Sequence, residues 1–316
     1  MTKKSFLGNL LLLLCAVIWG GAFVAQRSGM DSMGPVTFNG IRSLMGAAAL
    51  LLFLLLRSIV TKKPFRITRD EWKYGLICGG ILFVSLTCQQ IGLATVSAGR
   101  AGFLSAVYIV LVPIIRAVGG KRPSANAVIA VLLTLFGLTL LSAASGAEAG
   151  AAINFSSLFT GFSTGDLLML ICAFTYSFHI ICIDRVAEKV DSSVLCCLQF
   201  AVCGLISLPV FLIFEGTPNL SALSSGWTEL AYAGILSSAV AYTLQIAGQK
   251  LSSSPTVAAV LMSTESVFAV IFGMILLREK HHPYEYLGCL IVFAGIIIAQ
   301  LPPPKHKKQK SDSQPG

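Results

Sequence analysis

The second half of this chain repeats the first, and each half carries an odd number of apolar runs. Gly8-Asn9-Leu10-Leu11-Leu12-Leu13-Leu14-Cys15-Ala16 aligns with Gly165-Asp166-Leu167-Leu168-Met169-Leu170-Ile171-Cys172-Ala173, an offset of 157 residues. The offset recurs far along the chain, where Ser97, Ala101, Leu104, Val110 and Ile114 fall on Ser254, Ala258, Leu261, Val267 and Ile271. Shifted by one more residue, Glu71, Tyr74 and Gly137 fall on Glu229, Tyr232 and Gly295. Five apolar segments per half is an odd count, so the second half is expected to enter a membrane from the side opposite to the first. Inverted repeats of this kind are an architecture of secondary transporters, with a substrate site near the midplane between the halves.

Composition supports the membrane reading. Of 316 residues, 55% are hydrophobic and 12% are charged, where a soluble chain is about one quarter charged. Runs of roughly 20 apolar residues cross a bilayer as helices. They are expected at residues 6–26, 35–57, 74–95, 97–118, 124–145, 164–184, 191–214, 228–249, 254–277 and 283–301. These runs are continuously apolar rather than alternating, which excludes a transmembrane barrel. The expected fold is an all-α membrane protein: ten transmembrane helices built as two inverted five-helix repeats, 6–145 and 164–301, around a central cavity. The segment 146–163 is the longest connection. The Pro- and Lys-rich tail, 302–316, is expected to be a disordered basic cytoplasmic extension. The first apolar run has no small-residue cleavage site after it, so no signal peptide is expected.

Lys and Arg in short loops set orientation. With the N-terminus inside, the inner side collects Lys3, Lys4, Arg57, Lys62, Lys63, Arg66, Arg69, Lys73, Arg116, Lys121, Arg122, Arg185, Lys189, Lys250, Lys305, Lys307, Lys308 and Lys310. The outer side receives only Arg27, Arg100, Arg278 and Lys280. Both termini are therefore expected in the cytoplasm, with the chain multi-pass in the plasma (cytoplasmic) membrane. The net charge of +9 follows from topology. Basic residues scattered over several loops without interleaved aromatics do not make a nucleic-acid surface. The nine cysteines lie inside expected spans without the paired spacing of a zinc site, and they read as small packing residues. No metal or other cofactor is expected.

A set of local patterns gives the chain a resemblance. They are Trp19-Gly20-Gly21-Ala22-Phe23, Phe38-Asn39-Gly40-Ile41-Arg42, Gln89-Gln90-Ile91-Gly92-Leu93 and Ser97-Ala98-Gly99-Arg100-Ala101-Gly102-Phe103. Tyr108, Val112-Pro113, Glu265-Ser266-Val267-Phe268 and Arg278-Glu279 complete them. Over residues 8–300 the chain resembles the ten-span EamA type of the drug/metabolite transporter superfamily. The resemblance implies a basket of ten helices around a cavity that moves amino acids, sugars, nucleotide sugars or drugs, often outward. One departure stands out: where relatives often have Glu-Pro, this chain has Glu265-Ser266, and proline is the usual cause of a helix kink.

Independent of that resemblance, ionisable groups inside a bilayer are costly and each needs an explanation. Glu265 lies about eleven residues into the ninth span, which at a rise of about 1.5 Å each puts it near the bilayer centre. A carboxyl group there can exchange protons, bind a substrate ammonium, or fix helix packing. Arg42 lies about seven residues into the second span, roughly 10 Å deep. Its guanidinium can grip a substrate carboxylate, pair with Glu265, or snorkel to the interface. The repeat sets Tyr108 on Glu265, Trp19 on Tyr176 and Arg42 on Gln199, so Tyr108 and Glu265 are expected to flank one cavity.

Trp19, Asn39, Gln89, Gln90, Tyr242 and Gln245 complete the expected substrate contacts, with His179 as a further polar group able to carry a proton near neutral pH. Neighbours on a helix point about 100° apart, so Gln89 and Gln90 cannot share a face. Pro113 and Pro209 are expected kinks. His281 and His282 beside Glu279 are too few ligands for a metal site.

An intramembrane enzyme would need a nucleophile with its base, and the spans hold no paired aspartates. No phosphate-binding loop supports an ATP-driven pump. The reading is a secondary transporter, an exporter of a small polar metabolite such as an amino acid or related compound. Its partners are that solute, the lipid bilayer and, through Glu265, protons. A passive channel is the rival, and small lipid-facing residues leave a homodimer open.

Overall fold

The computed structural model describes residues 3–64, 66–96, 98–121, 123–144, 163–252, 254–276 and 283–301. The connection 145–162, the tail 302–316 and the stretch holding Arg278, Glu279, Lys280, His281 and His282 lie outside the described residues.

Within them the chain is all helical. Helices α1 (Lys3–Gly29), α2 (Pro35–Thr61) and α3 (Arg69–Thr95) are followed by a fourth segment in two pieces, α4 (Ala98–Ser105) and α5 (Tyr108–Val118). Then come α6 (Ala125–Ala144), α7 (Thr164–Val186) and α8 (Ser192–Phe214). The short α9 (Leu220–Ser225) and α10 (Trp227–Ala231) lead into a π-helical stretch, Tyr232–Ala241, that continues as α11 (Tyr242–Leu251). The last pieces are α12 (Pro255–Met262), α13 (Glu265–Leu276) and α14 (Pro283–Gln300). Each of the ten expected apolar segments is thus helical over most of its length. Eight segments are long and apolar enough to cross a membrane among the described residues, while Ala125–Leu140 and Pro283–Ala299 are shorter apolar helices.

Helix ends are fixed by side chains that satisfy the orphan N–H groups of a first turn. Thr68 and Glu71 form a reciprocal capping box on α3, and Ser163 and Asp166 form one on α7. Glu71 does more than cap: its second carboxylate oxygen accepts from Asp191 N, 2.9 Å away, while Asp191 caps α8 and pairs with Arg57 at 2.9 Å. One end of α2, α3 and α8 is thereby tied together. At the opposite end of α2, the Glu215 carboxylate accepts from Val36 N, Thr37 N and the Thr37 hydroxyl.

Small residues bring the helices close, as lipid-facing bundles require. A Cβ added to Gly137 of α6 would lie 2.7 Å from Gly288 O of α14, and one added to Gly295 of α14 would lie 3.0 Å from Ala130 O of α6. Helix α3 meets α7 through residues of α3 spaced seven apart, Cys78, Ser85 and Gly92, a repeat that keeps one helix stripe facing a partner. Cys78 Sγ lies 3.4 Å from Cys182 Sγ, Ser85 Oγ lies 2.7 Å from Thr175 Oγ1, and Gly92 abuts Gly165 O.

Two segments break away from any proline. The fourth segment breaks at Ala106–Val107, upstream of Pro113, where Ile109 N and Val110 N bond only three residues back, to Ala106 O and Val107 O. The ninth segment breaks at Ser263–Thr264 although no proline is present. There the Ser263 hydroxyl donates to Val260 O and the Thr264 hydroxyl to Leu261 O. Hydroxyls that bond back to helix carbonyls often bend helices, and two of them stand at this break. Helix α8 runs unbroken through Pro209.

Candidate functional site

A cavity lies where both halves of the chain converge. Helix α1 contributes Trp19, Phe23 and Gln26; α2 contributes Arg42; α3 contributes Leu86 and Gln89; Ser105 and Tyr108 flank the break of the fourth segment. From the second half come Cys172 and Tyr176 of α7, Ser237 of the π-helical stretch, Tyr242 of α11 and Glu265 at the start of α13. The room for the centres of water-sized molecules is about 40 Å³. One water needs roughly 10–15 Å³ on that measure, so the cavity is narrow in this conformation. Larger hollows of about 240 and 400 Å³ open at the surface, beside Tyr232 and beside Arg57. Neither faces two opposite charges that lack each other as partners, so the chemistry resides in the small central cavity.

The electrostatics of that cavity are unusual. Arg42 is 2% exposed and Glu265 is 7% exposed. Among the described residues the ion pairs are Arg57–Asp191 and Arg116–Asp184, so Arg42 and Glu265 face one cavity without bridging it. Arg42 Nε donates to Asn39 Oδ1 at 3.2 Å, while its Nη2 has no hydrogen-bond partner. Removing a charge from water is expensive unless another group compensates it. An unpaired guanidinium nitrogen and a carboxyl group in one small cavity are therefore positioned for a polar occupant.

Aromatic rings form the walls. Trp19 lies 4.8 Å from Tyr242 and 6.1 Å from Tyr176, and Tyr108 lies 5.5 Å from Tyr176 between ring centroids. Trp19 is oriented by its Nε1, which donates to Ser237 O at 3.3 Å. Wide π-helical turns are frequent at functional sites, and this carbonyl belongs to one. The hydroxyls of Tyr108 and Tyr176 are buried without partners.

The sequence-expected residues divide into two groups. Trp19, Arg42, Gln89, Tyr108, Tyr242 and Glu265 come together around the cavity. Asn39, Gln90, His179 and Gln245 lie behind its wall. Asn39 supports Arg42 and donates to Thr87 Oγ1. Gln90 Nε2 donates to Gln26 O, so the two adjacent glutamines diverge, one toward the cavity and one toward α1. His179 Nε2 meets Gln199 Oε1 at 3.0 Å while its ring stacks on Tyr176 at 5.4 Å. Gln245 is fully buried, and neither of its amide atoms has a partner.

Besides the apolar Ala22, Phe23 and Leu86, five lining residues escaped the sequence reading as candidates: Gln26, Ser105, Cys172, Tyr176 and Ser237. Tyr176 was legible as the repeat equivalent of Trp19. Gln26 stands two turns from Trp19 on the same face, Ser105 one turn before Tyr108, and Cys172 one turn before Tyr176.

A multi-span helical protein with a buried polar cavity between its halves is the class defined by this geometry. The EamA-like transporter family matches the chain twice, over residues 6–143 and 163–300. This chain belongs to that family, and is a multi-pass membrane transporter of the drug/metabolite transporter superfamily. It is 30% identical over 303 residues to an uncharacterized transporter of Archaeoglobus fulgidus, covering 94% of this chain and 87% of the relative. It is 23% identical over 291 residues to the uncharacterized transporter YoaV of Bacillus subtilis, covering 89% and 92%. A solved crystal structure superposes with a TM-score of 0.73 over 93% of this chain and 96% of that one, at 19% identity, a likeness of fold alone.

Proposed function

We propose that the chain is a secondary transporter that exports a small polar metabolite, such as an amino acid or related compound, by alternating access around the central cavity. The observation that carries this reading is the pair Arg42 and Glu265, opposite charges in one cavity with no bond between them. A solute carrying both an acidic and a basic group would complete both. The narrow cavity supports a carrier that must part its helices to load, over an open pore. Glu265 takes the role of proton-coupling residue, and no catalytic residue is assigned.

The architecture we infer is two inverted five-helix repeats, 6–145 and 164–301, followed by a basic tail, 302–316. Support comes from contacts that recur under the repeat. Gly137 approaches Gly288 as Gly295 approaches Ala130, and these four positions map onto each other at an offset of 158. A Cβ on Gly92 would meet Met169 and Gly165 O, and a Cβ on Gly248 would meet Leu12 and Gly8 O. Leu12 and Gly8 are the repeat equivalents of Met169 and Gly165. The family's double match adds to this. The excess of Lys and Arg in the loops of one side supports cytoplasmic termini, and the membrane we infer is the plasma membrane.

The test is flux through purified protein in liposomes, using radiolabelled neutral amino acids and imposed proton gradients. Saturable flux that follows the proton gradient, and loses that coupling in Glu265→Gln, supports the proposal. Non-saturating flux indifferent to Glu265 indicates a passive channel.

A further inference from the structure

We infer that Cys78 and Cys182 form an oxidisable dithiol, and that peroxide converts it into a disulfide joining the first half of the protein to the second. The two sulfurs are 3.4 Å apart, Cys78 buried in α3 and Cys182 part-exposed in α7. Among the nine cysteines, no other thiol–thiol contact occurs between described residues. A disulfide needs about 2.05 Å between sulfurs, so the pair has to close by a little over 1 Å, within reach of side-chain torsions.

The surroundings favour closure over mere packing. Ser85 against Thr175 holds the α3–α7 seam two turns from the pair, and Glu71 ties the start of α3 to the N-cap of α8 through Asp191 N. The backbone positions of both cysteines are therefore fixed before oxidation. Cys182 lies four residues before the end of α7 at Val186, about 6 Å along a helix. That places the part-exposed Cys182 within reach of a small oxidant from the end of the bundle at which Arg57, Glu71 and Asp191 meet.

The chemistry balances with hydrogen peroxide as oxidant. The Cys182 sulfur attacks one peroxide oxygen, the O–O bond breaks, and a sulfenic acid and one water form. The Cys78 sulfur then attacks the Cys182 sulfur, the S–O bond breaks, and the hydroxyl leaves with the Cys78 proton as a second water. Both sulfurs are oxidised by one electron each and one peroxide is reduced to two waters. The reduced pair is the resting form in a reducing cytoplasm. The disulfide is a response to peroxide that fixes α3 against α7 in the arrangement seen here.

The test uses the full chain in membranes, with a specific protease site inserted into the connection 145–162. After peroxide treatment and thiol blocking, cleavage is followed by denaturing electrophoresis without reductant. The expected result is a joined band that separates into two fragments on adding dithiothreitol and is lost in both Cys182→Ser and Cys78→Ala. The peroxide-treated protein is also expected to melt several degrees above the reduced protein, a shift absent from either variant. Two free fragments after peroxide, or a joined band that survives in both variants, overturns the inference. These readouts need no substrate, so they stand whether or not export is observed.

Discussion

Tyr108 and Glu265 each begin the helical piece that follows a break in their segment, and both face the same cavity. The breaks, at Ala106–Val107 and Ser263–Thr264, are 157 residues apart, as are the two side chains. The interruption places a polar group at the point where the backbone leaves regular helix, and such discontinuous helices recur at the centre of transporter folds. Ser266 joins the two sites, its hydroxyl donating to Gly102 O at 3.3 Å.

If the Ser263 and Thr264 hydroxyls keep the ninth segment broken, removing them straightens it. The double variant Ser263→Ala, Thr264→Ala is expected to keep or raise thermal stability, since alanine is the better helix former. Transport is expected to fall about tenfold or more. Melting in detergent beside flux in liposomes checks this, and undiminished flux contradicts it.

Asn39 holds the guanidinium of Arg42 without reaching the cavity. A hydrogen bond to a charged group contributes about 1.5–3 kcal/mol. Asn39→Leu is therefore expected to weaken apparent affinity by about tenfold at 1.4 kcal/mol per decade. Membrane abundance should stay unchanged, and Asn39→Asp should retain most activity. The measurement is concentration-dependent uptake by each variant.

Gly20 lets α1 lie directly on α13: a Cβ there would sit 2.4 Å from Phe268 Cβ and 2.9 Å from Glu265 O. Backbone cannot swing aside as a side-chain tip can. Gly20→Ala is expected to cost about 1–3 kcal/mol through overpacking and to displace Glu265. A melting midpoint equal to wild type in detergent would refute this.

The Glu71 carboxylate accepts from Thr68 N, the Thr68 hydroxyl and Asp191 N while only 4% exposed. Glu71→Ala orphans those donors and is expected to destabilise by about 2 kcal/mol or more. Glu71→Gln, which keeps an acceptor, should be milder. The two midpoints, compared in one detergent, check the order.

The helical segments were legible because a bilayer demands long apolar runs, eight of them long enough to span it among the described residues, and the likeness of the halves because Gly8–Ala16 and Gly165–Ala173 still share their small residues. The depth of Glu265 and Arg42 could be counted along a helix. Facing could not. These segments are apolar nearly all round, so a polar residue's depth says little about whether it meets a cavity or a neighbouring helix. Gln90 and Asn39 were read as substrate contacts, yet each satisfies a partner inside the bundle. Tyr176 shows what the repeat could still supply, since Trp19 pointed to it. The break beside Glu265 was hidden for another reason. Proline was taken as the cause of kinks, and the break here carries two back-bonding hydroxyls and no proline.

The most direct measurement compares metabolites in the medium and in the cells of three strains. One overproduces the intact protein, one overproduces Glu265→Gln at equal membrane abundance, and one carries neither. The account predicts a compound with both an acidic and a basic group, enriched outside only with the intact protein. Equal enrichment with the intact protein and with Glu265→Gln would contradict the role given to the cavity.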